Sequence, residues 1–153
     1  MKVKITLVSF FVFISSISFA QNQVFDELKT SNGVLKIYPV LHIILITDIH
    51  GDHLDQKTLD LIDTSKSILI VPQAVANKLP EKYNSKVIIL NNGQGVHRLD
   101  YFIQAVPMYN LPEEENAKHP RGRGNGYILN LENKRIYISG DTEDIIEMRM
   151  LRN

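Results

Sequence analysis

Four consecutive aliphatic residues, Ile43-Ile-Leu-Ile46, leave no polar face. A strand turns alternate side chains to opposite sides, so such a run is buried on both faces and belongs inside a layered sheet. The residues after Thr47 have the opposite character. Asp48-Ile-His-Gly-Asp-His-Leu-Asp55 sets two histidines and three aspartates within eight residues. The chain therefore leaves the sheet at Thr47 and must turn, and Gly51 permits the turn. Asp48 and His50 then point to one side, while Asp52 and His53 lie across the bend at a helix start. Four side chains at relative positions 0, 2, 4 and 5 divide in this way between two neighbouring metal positions. Imidazole mixed with carboxylate suits zinc and similar divalent ions. A second acidic cluster, Gly140-Asp-Thr-Glu-Asp144, follows another strand-like run near the C-terminus.

The remaining chain alternates short apolar runs with short helical stretches. Strands are expected at Val34–Tyr38, Ile43–Thr47, Ser67–Val71, Lys86–Leu90, Phe102–Met108, Tyr127–Leu131 and Arg135–Ser139, most of them rich in Ile and Val. Asp55 caps a helix to about Asp63 with Leu59 and Ile62 inward, and Gln73–Leu79 and Glu143–Leu151 are two further helices. Leu131-Glu-Asn-Lys-Arg135 reads as a tight hairpin and Asn91–Gly95 as a turn. Tyr109 to Gly126, with Pro112, Pro120 and three glycines, is the longest irregular connection. The expected class is α/β, layered, with a mixed sheet.

With 153 residues, 17 basic and 17 acidic, the chain reads as one globular domain without the basic stripe that nucleic acid requires. Lys2 and Lys4 precede an apolar stretch from Ile5 to about Ile17, and Ser18-Phe-Ala20 offers the small residues of a cleavage site. Residues 1–20 are therefore expected to be a signal peptide, since about a dozen apolar residues fall short of the ~20 that span a bilayer. The mature chain is expected to be periplasmic or secreted, with no membrane anchor. Residues 21–33 form an N-terminal extension and 34–153 the domain. There is no cysteine, so no disulfide supports the fold.

Asp48-Ile-His-Gly-Asp-His-Leu-Asp55 resembles the His-x-His-x-Asp-His signature of the metallo-β-lactamase superfamily, and Gly140-Asp-Thr142 its later aspartate motif. Ala105–Asn110, His119-Pro-Arg-Gly and Gly124–Leu129 are similar to the ascorbate-lactonase-like branch, so that the resemblance runs from about Ile43 to Arg152. It implies a partial αββα sandwich and a metal-dependent hydrolase using metal-bound hydroxide on a small-molecule substrate, whether lactone, ester, amide or phosphodiester. It also implies that Asp48, His50 and His119 serve one metal, that Asp52 and His53 serve the other, and that Asp141 bridges both. Asp52 would orient the water or accept its proton. Zn2+ is the implied cofactor, with Mn2+ or Fe2+ compatible because Asp48 stands where the family usually has histidine. Arg121, Arg123 and Asn125 are weaker candidates for contact with an anionic substrate.

Set against the family pattern, a hairpin and linker before the metal-binding strand are missing at His42-Ile43, and the chain stops shortly after Asp141. The second metal position is then expected to be incomplete and apolar sheet surface to be exposed, favouring oligomers. The competing expectation is a truncated, non-catalytic remnant with weak metal binding, and a metal-free binding module is a third. His42 and His97 read as structural or exposed, Tyr109 as packing, Glu143 and Asp144 as capping or solvating the last helix, and Glu113–Glu115 as a solvated loop.

Overall fold

The computed structural model describes residues 11–12, 26–30, 33–37, 43–99, 101–131 and 134–151. Along the chain come β1 (Phe11–Val12), β2 (Asp26–Thr30), β3 (Gly33–Ile37), β4 (Ile43–Leu45), α1 (Gln56–Leu61), β5 (Ile68–Val71) and α2 (Gln73–Ala76). A 3-10 helix (Glu81–Lys86), β6 (Val87–Ile89), β7 (Gly95–Arg98), β8 (Tyr101–Met108), β9 (Gly124–Leu131), β10 (Lys134–Ile138) and α3 (Ile146–Met150) complete the order. One sheet is parallel, in the order β1-β4-β5-β6, and the other antiparallel, in the order β10-β9-β8-β7. The pair β2-β3 is a separate hairpin.

Alternation along β4 builds the layers. Ile43 and Leu45 turn inward to Ile70, Ile103, Ala105, Tyr127 and Leu129, making the core between the two sheets. Ile44 and Ile46 turn the other way, onto Leu59 of α1, Val75 of α2, Leu79 and Tyr83. Leu69, Ile70 and Val71 of the central β5 are all fully buried, and removing each such side chain from water contributes roughly 1.5–3 kcal/mol. On β10, Ile138 faces the inter-sheet core, whereas Arg135 on the opposite face donates to the Leu151 carbonyl at 3.2 Å and ties down the end of α3. The expectation of a layered α/β fold is met, with parallel and antiparallel pairing divided between two sheets rather than mixed within one.

Local chemistry sets the boundaries. The Asp55 carboxylate accepts from the Lys57 amide at 3.1 Å and the Thr58 hydroxyl at 2.6 Å, capping α1 as expected. Leu59 is buried, and Ile62 packs against the same cluster. Several elements depart from expectation. Gly95–Arg98 pairs with β8 although its glycine-rich approach signals only a turn, and β2 lies in the segment assigned to an extension. The last helix begins at Ile146, and β9 begins at Gly124 rather than Tyr127. Phe11 and Val12, inside the expected leader, run parallel to Ile44 and Leu45. His42 lies outside the described residues, and His97 is exposed against the Phe102 ring at 4.8 Å. No helix among the described residues is long and apolar enough to cross a membrane.

Candidate metal centre

The parallel strands deliver their C-terminal ends to one edge of the sandwich, and the histidine- and aspartate-rich turn after β4 lies there. His53 and Leu54 close the turn by donating their amides to the His50 carbonyl at 3.0 and 2.7 Å. Gly51 does not carry it, contrary to expectation. Its φ lies outside the left-handed region, and an added Cβ would meet nothing within 4 Å. Glycine is needed instead at Gly140, where φ is +61° and a Cβ would press on Met108 and on Thr47 at 3.3 Å. That bend ends β10 and sets Asp141 beside the turn from β4.

Two groups of ligand atoms result: Asp48 with His50 and His119, and Asp52 with His53 and Asp141, the atoms of each lying within 4.8 Å of one another. His50 Nδ1 is 3.1 Å from Asp48 Oδ2 and 3.1 Å from His119 Nε2, and His119 Nε2 is 3.9 Å from Asp48 Oδ2. Tetrahedral ligands bound at about 2.0–2.1 Å stand roughly 3.3 Å apart, so the spacing fits one divalent cation. In the second group His53 Nε2 is 3.3 Å from Asp141 Oδ1 and 3.7 Å from Asp52 Oδ2. Asp141 Oδ2 lies 3.1 Å from His119 Nε2, so its two oxygens address different groups. All six residues singled out in the sequence as ligands are thus brought together.

Three side chains around them were not foreseen in these roles. Asn110 Oδ1 is 2.8 Å from His119 Nδ1, which assigns that nitrogen the proton and leaves the Nε2 lone pair facing the carboxylates. Burial holds His119 below the usual imidazole range against the opposing pull of Asp141 and Asp48, so the ring is neutral and competent to ligate at neutral pH. The Thr47 hydroxyl stands 2.6 Å from His53 Nδ1 and does for His53 what Asn110 does for His119. Arg123 grips Asp48, the most buried of the carboxylates, from Nε at 3.0 Å and Nη2 at 2.8 Å. The one signal for Thr47 in the sequence is its place immediately before the first ligand.

The candidates for substrate contact are otherwise engaged. Arg121 pairs with Glu113 at 3.0 Å and Glu147 at 2.5 Å and lies over the Tyr109 ring, so it braces the loop against α3. Asn125 is buried, donating to the Leu90 carbonyl at 2.8 Å and accepting from Asn92 at 2.7 Å. Its place is the junction of the sheets. Tyr109 is packed, as expected, with its hydroxyl donating to Glu147 at 2.9 Å. Glu143 does not serve the helix but accepts the Leu111 amide at 3.1 Å. Asp144 pairs with Arg149 of α3, as a helix-flanking residue should.

The β-lactamase superfamily domain model matches residues 16–152. The chain belongs to the metallo-β-lactamase superfamily. Within it, a UPF0173 metal-dependent hydrolase of Pyrococcus horikoshii is 30% identical over 109 residues, 71% of this chain and 47% of that protein. Its counterpart in Pyrococcus abyssi is 28% identical over the same length and shares. The chain spans about half the length of these relatives. Among solved structures, a protein of Parabacteroides distasonis assigned as a metal-dependent hydrolase is 33% identical with a TM-score of 0.65, covering 82% of this chain and 69% of the other. A metallo hydrolase of Ignicoccus hospitalis (19% identical, TM-score 0.53, 72% and 46% covered) shares the fold. So does a diiron β-hydroxylase of Streptomyces venezuelae (14%, 0.53, 73% and 23%). The family supplies the fold of metal-dependent hydrolases, and the two donor groups are residues that could hold a metal.

Proposed function

We propose that the chain hydrolyses a small-molecule substrate with two divalent cations, held by Asp48, His50 and His119 at the first position and by Asp52 and His53 at the second, with Asp141 shared between them. The observation that carries this reading is the pair of ligand groups joined through the two oxygens of Asp141. Bound there, the ions would supply Lewis acidity and acidify water towards neutrality, making a nucleophile available at pH 7. The chain's own residues do the rest. Asp52, half-exposed, orients the water and takes its proton. Thr47 and Asn110 fix the two imidazole tautomers, and Asp141 keeps the positions in register. No serine or cysteine nucleophile is needed.

Zinc is the first choice of ion. The three carboxylates also suit manganese or iron, which prefer harder ligands. Lactone, ester, amide and phosphodiester bonds all match the chemistry, because one fold hosts many substrates. Export is part of the same proposal, and a mature chain beginning at Gln21 by mass spectrometry after expression in a bacterial host tests it.

The central experiment is elemental analysis of protein refolded with zinc, manganese or iron, followed by turnover of a panel of those four bond types. Stoichiometric metal, with activity lost on chelation and in Asp52→Ala, is expected. A folded chain that retains no stoichiometric ion overturns the reading, and one that binds metal but turns over nothing in the panel favours the remnant.

A further inference from the structure

Asp48 stands where the signature it resembles has histidine, and the structure pairs it with a cation. Arg123 Nε donates to Oδ1 at 3.0 Å and Nη2 to Oδ2 at 2.8 Å, a two-pronged grip on a carboxylate that is fully buried. The same Nη2 donates to the Lys118 carbonyl at 2.6 Å. The same nitrogen also lies 3.4 Å from His50 Nε2, the longest of its three polar contacts. The grip takes one acceptor position on each carboxylate oxygen. Oδ2 keeps another for the point it shares with His50 Nδ1 at 3.1 Å and His119 Nε2 at 3.9 Å.

Backbone packing delivers Arg123 there. A Cβ on the next residue, Gly124, would stand 2.8 Å from the Thr47 carbonyl oxygen and 3.3 Å from Asp48 Oδ1. The Asn125 amide donates to that same Thr47 carbonyl at 2.9 Å. The start of β9 is thereby laid directly along the end of β4.

We propose that Arg123 is a positioning residue for the first metal position. Its guanidinium orients Asp48 and supplies the positive charge that brings the buried Asp48–Arg123 couple to zero net charge, the charge a neutral histidine would have there. The inference rests on the metal-centre reading of the preceding subsection. A lysine could not substitute, because an ammonium cannot span both oxygens in one plane.

The test is a double-mutant cycle on zinc binding, read by elemental analysis and by competition with a chromophoric chelator. It compares the parent chain with Arg123→Lys, Arg123→Gln, Asp48→His and Asp48→His combined with Arg123→Gln. Either Arg123 variant should weaken one of the two binding steps by roughly 10- to 100-fold and leave the other near the parent value. With histidine at position 48, Arg123→Gln should cost little further. Unchanged steps, tighter binding in Arg123→Gln, or the same penalty in the Asp48→His background would each overturn the role of Arg123. Arg123→Lys retains the charge and carries the test if Arg123→Gln does not fold, as judged by circular dichroism. A parent chain that holds no zinc at either position overturns the metal centre itself, and this inference with it.

Discussion

Thr47→Val isolates a single hydroxyl at the metal centre. Thr47 is 7% exposed, and its Oγ1 lies 2.6 Å from His53 Nδ1 on a ring whose other nitrogen faces Asp141 at 3.3 Å. Valine has nearly the same shape, so no cavity opens and the loss is that of the hydrogen bond. For His53 to ligate through Nε2, its Nδ1 must carry the proton, and in the variant that N–H would have no partner. A part-buried donor left unpaired costs about 1–3 kcal/mol. The cost falls on the ligating tautomer, and at 1.4 kcal/mol for each factor of ten it weakens the second metal position by roughly 5- to 150-fold. Thr47→Ser, which restores the oxygen, should lie within about threefold of the parent, well outside the range of outer-shell losses. The assay is a zinc titration against a chromophoric chelator at neutral pH, with the parent and both variants side by side. Binding by Thr47→Val indistinguishable from the parent would falsify the assignment of Thr47 as the partner that orients His53.

Gly124→Ala forces a Cβ against Met108 and the Thr47 carbonyl oxygen, and should destabilise the chain by about 1–3 kcal/mol, read as a lower urea midpoint with an unchanged slope. Burial pushes the Tyr127 phenol above its ordinary value of 10.0, so the stabilisation of its neutral form is fully present below pH 10 and is lost as pH rises towards the folded value. Ultraviolet titration should therefore show Tyr127 ionising late and together with loss of the circular dichroism signal, whereas Tyr127→Phe should flatten that alkaline limb. Arg121→Ala removes pairs with Glu113 and Glu147 in which the arginine itself is half-exposed, so the thermal midpoint should move less than in Gly124→Ala and zinc affinity should stay at the parent value. A large fall in affinity would place Arg121 in the metal centre after all.

The layered fold was legible because Ile43–Ile46 leaves no polar face, and the turn after it was legible because histidine and aspartate alternate with apolar residues only there. Those signals are local. Arg123 and Arg121 are two residues apart, yet one meets Asp48, 75 positions earlier in the chain, and the other Glu113 and Glu147. Nothing in their neighbourhood separates them. What does is the register that starts β9 at Gly124, a product of close packing on Thr47. Asn110 and Thr47 carry no local signal for a similar reason, because a short polar residue near a strand end is common and its partner ring is fixed only in three dimensions. At β7 the Asn91–Gly95 turn signal masked a strand of four residues, too short for its alternation to stand out.

The ligands are drawn from both halves of the sandwich: Asp48, His50, Asp52 and His53 extend from the parallel sheet, while His119 and Asp141 belong to the loop and strand end of the antiparallel one. A cation seated among them would act as a clasp across the layers. Loading would then stiffen the join between the sheets at one edge, and the resistance of that edge to hydrogen exchange would report occupancy without any substrate.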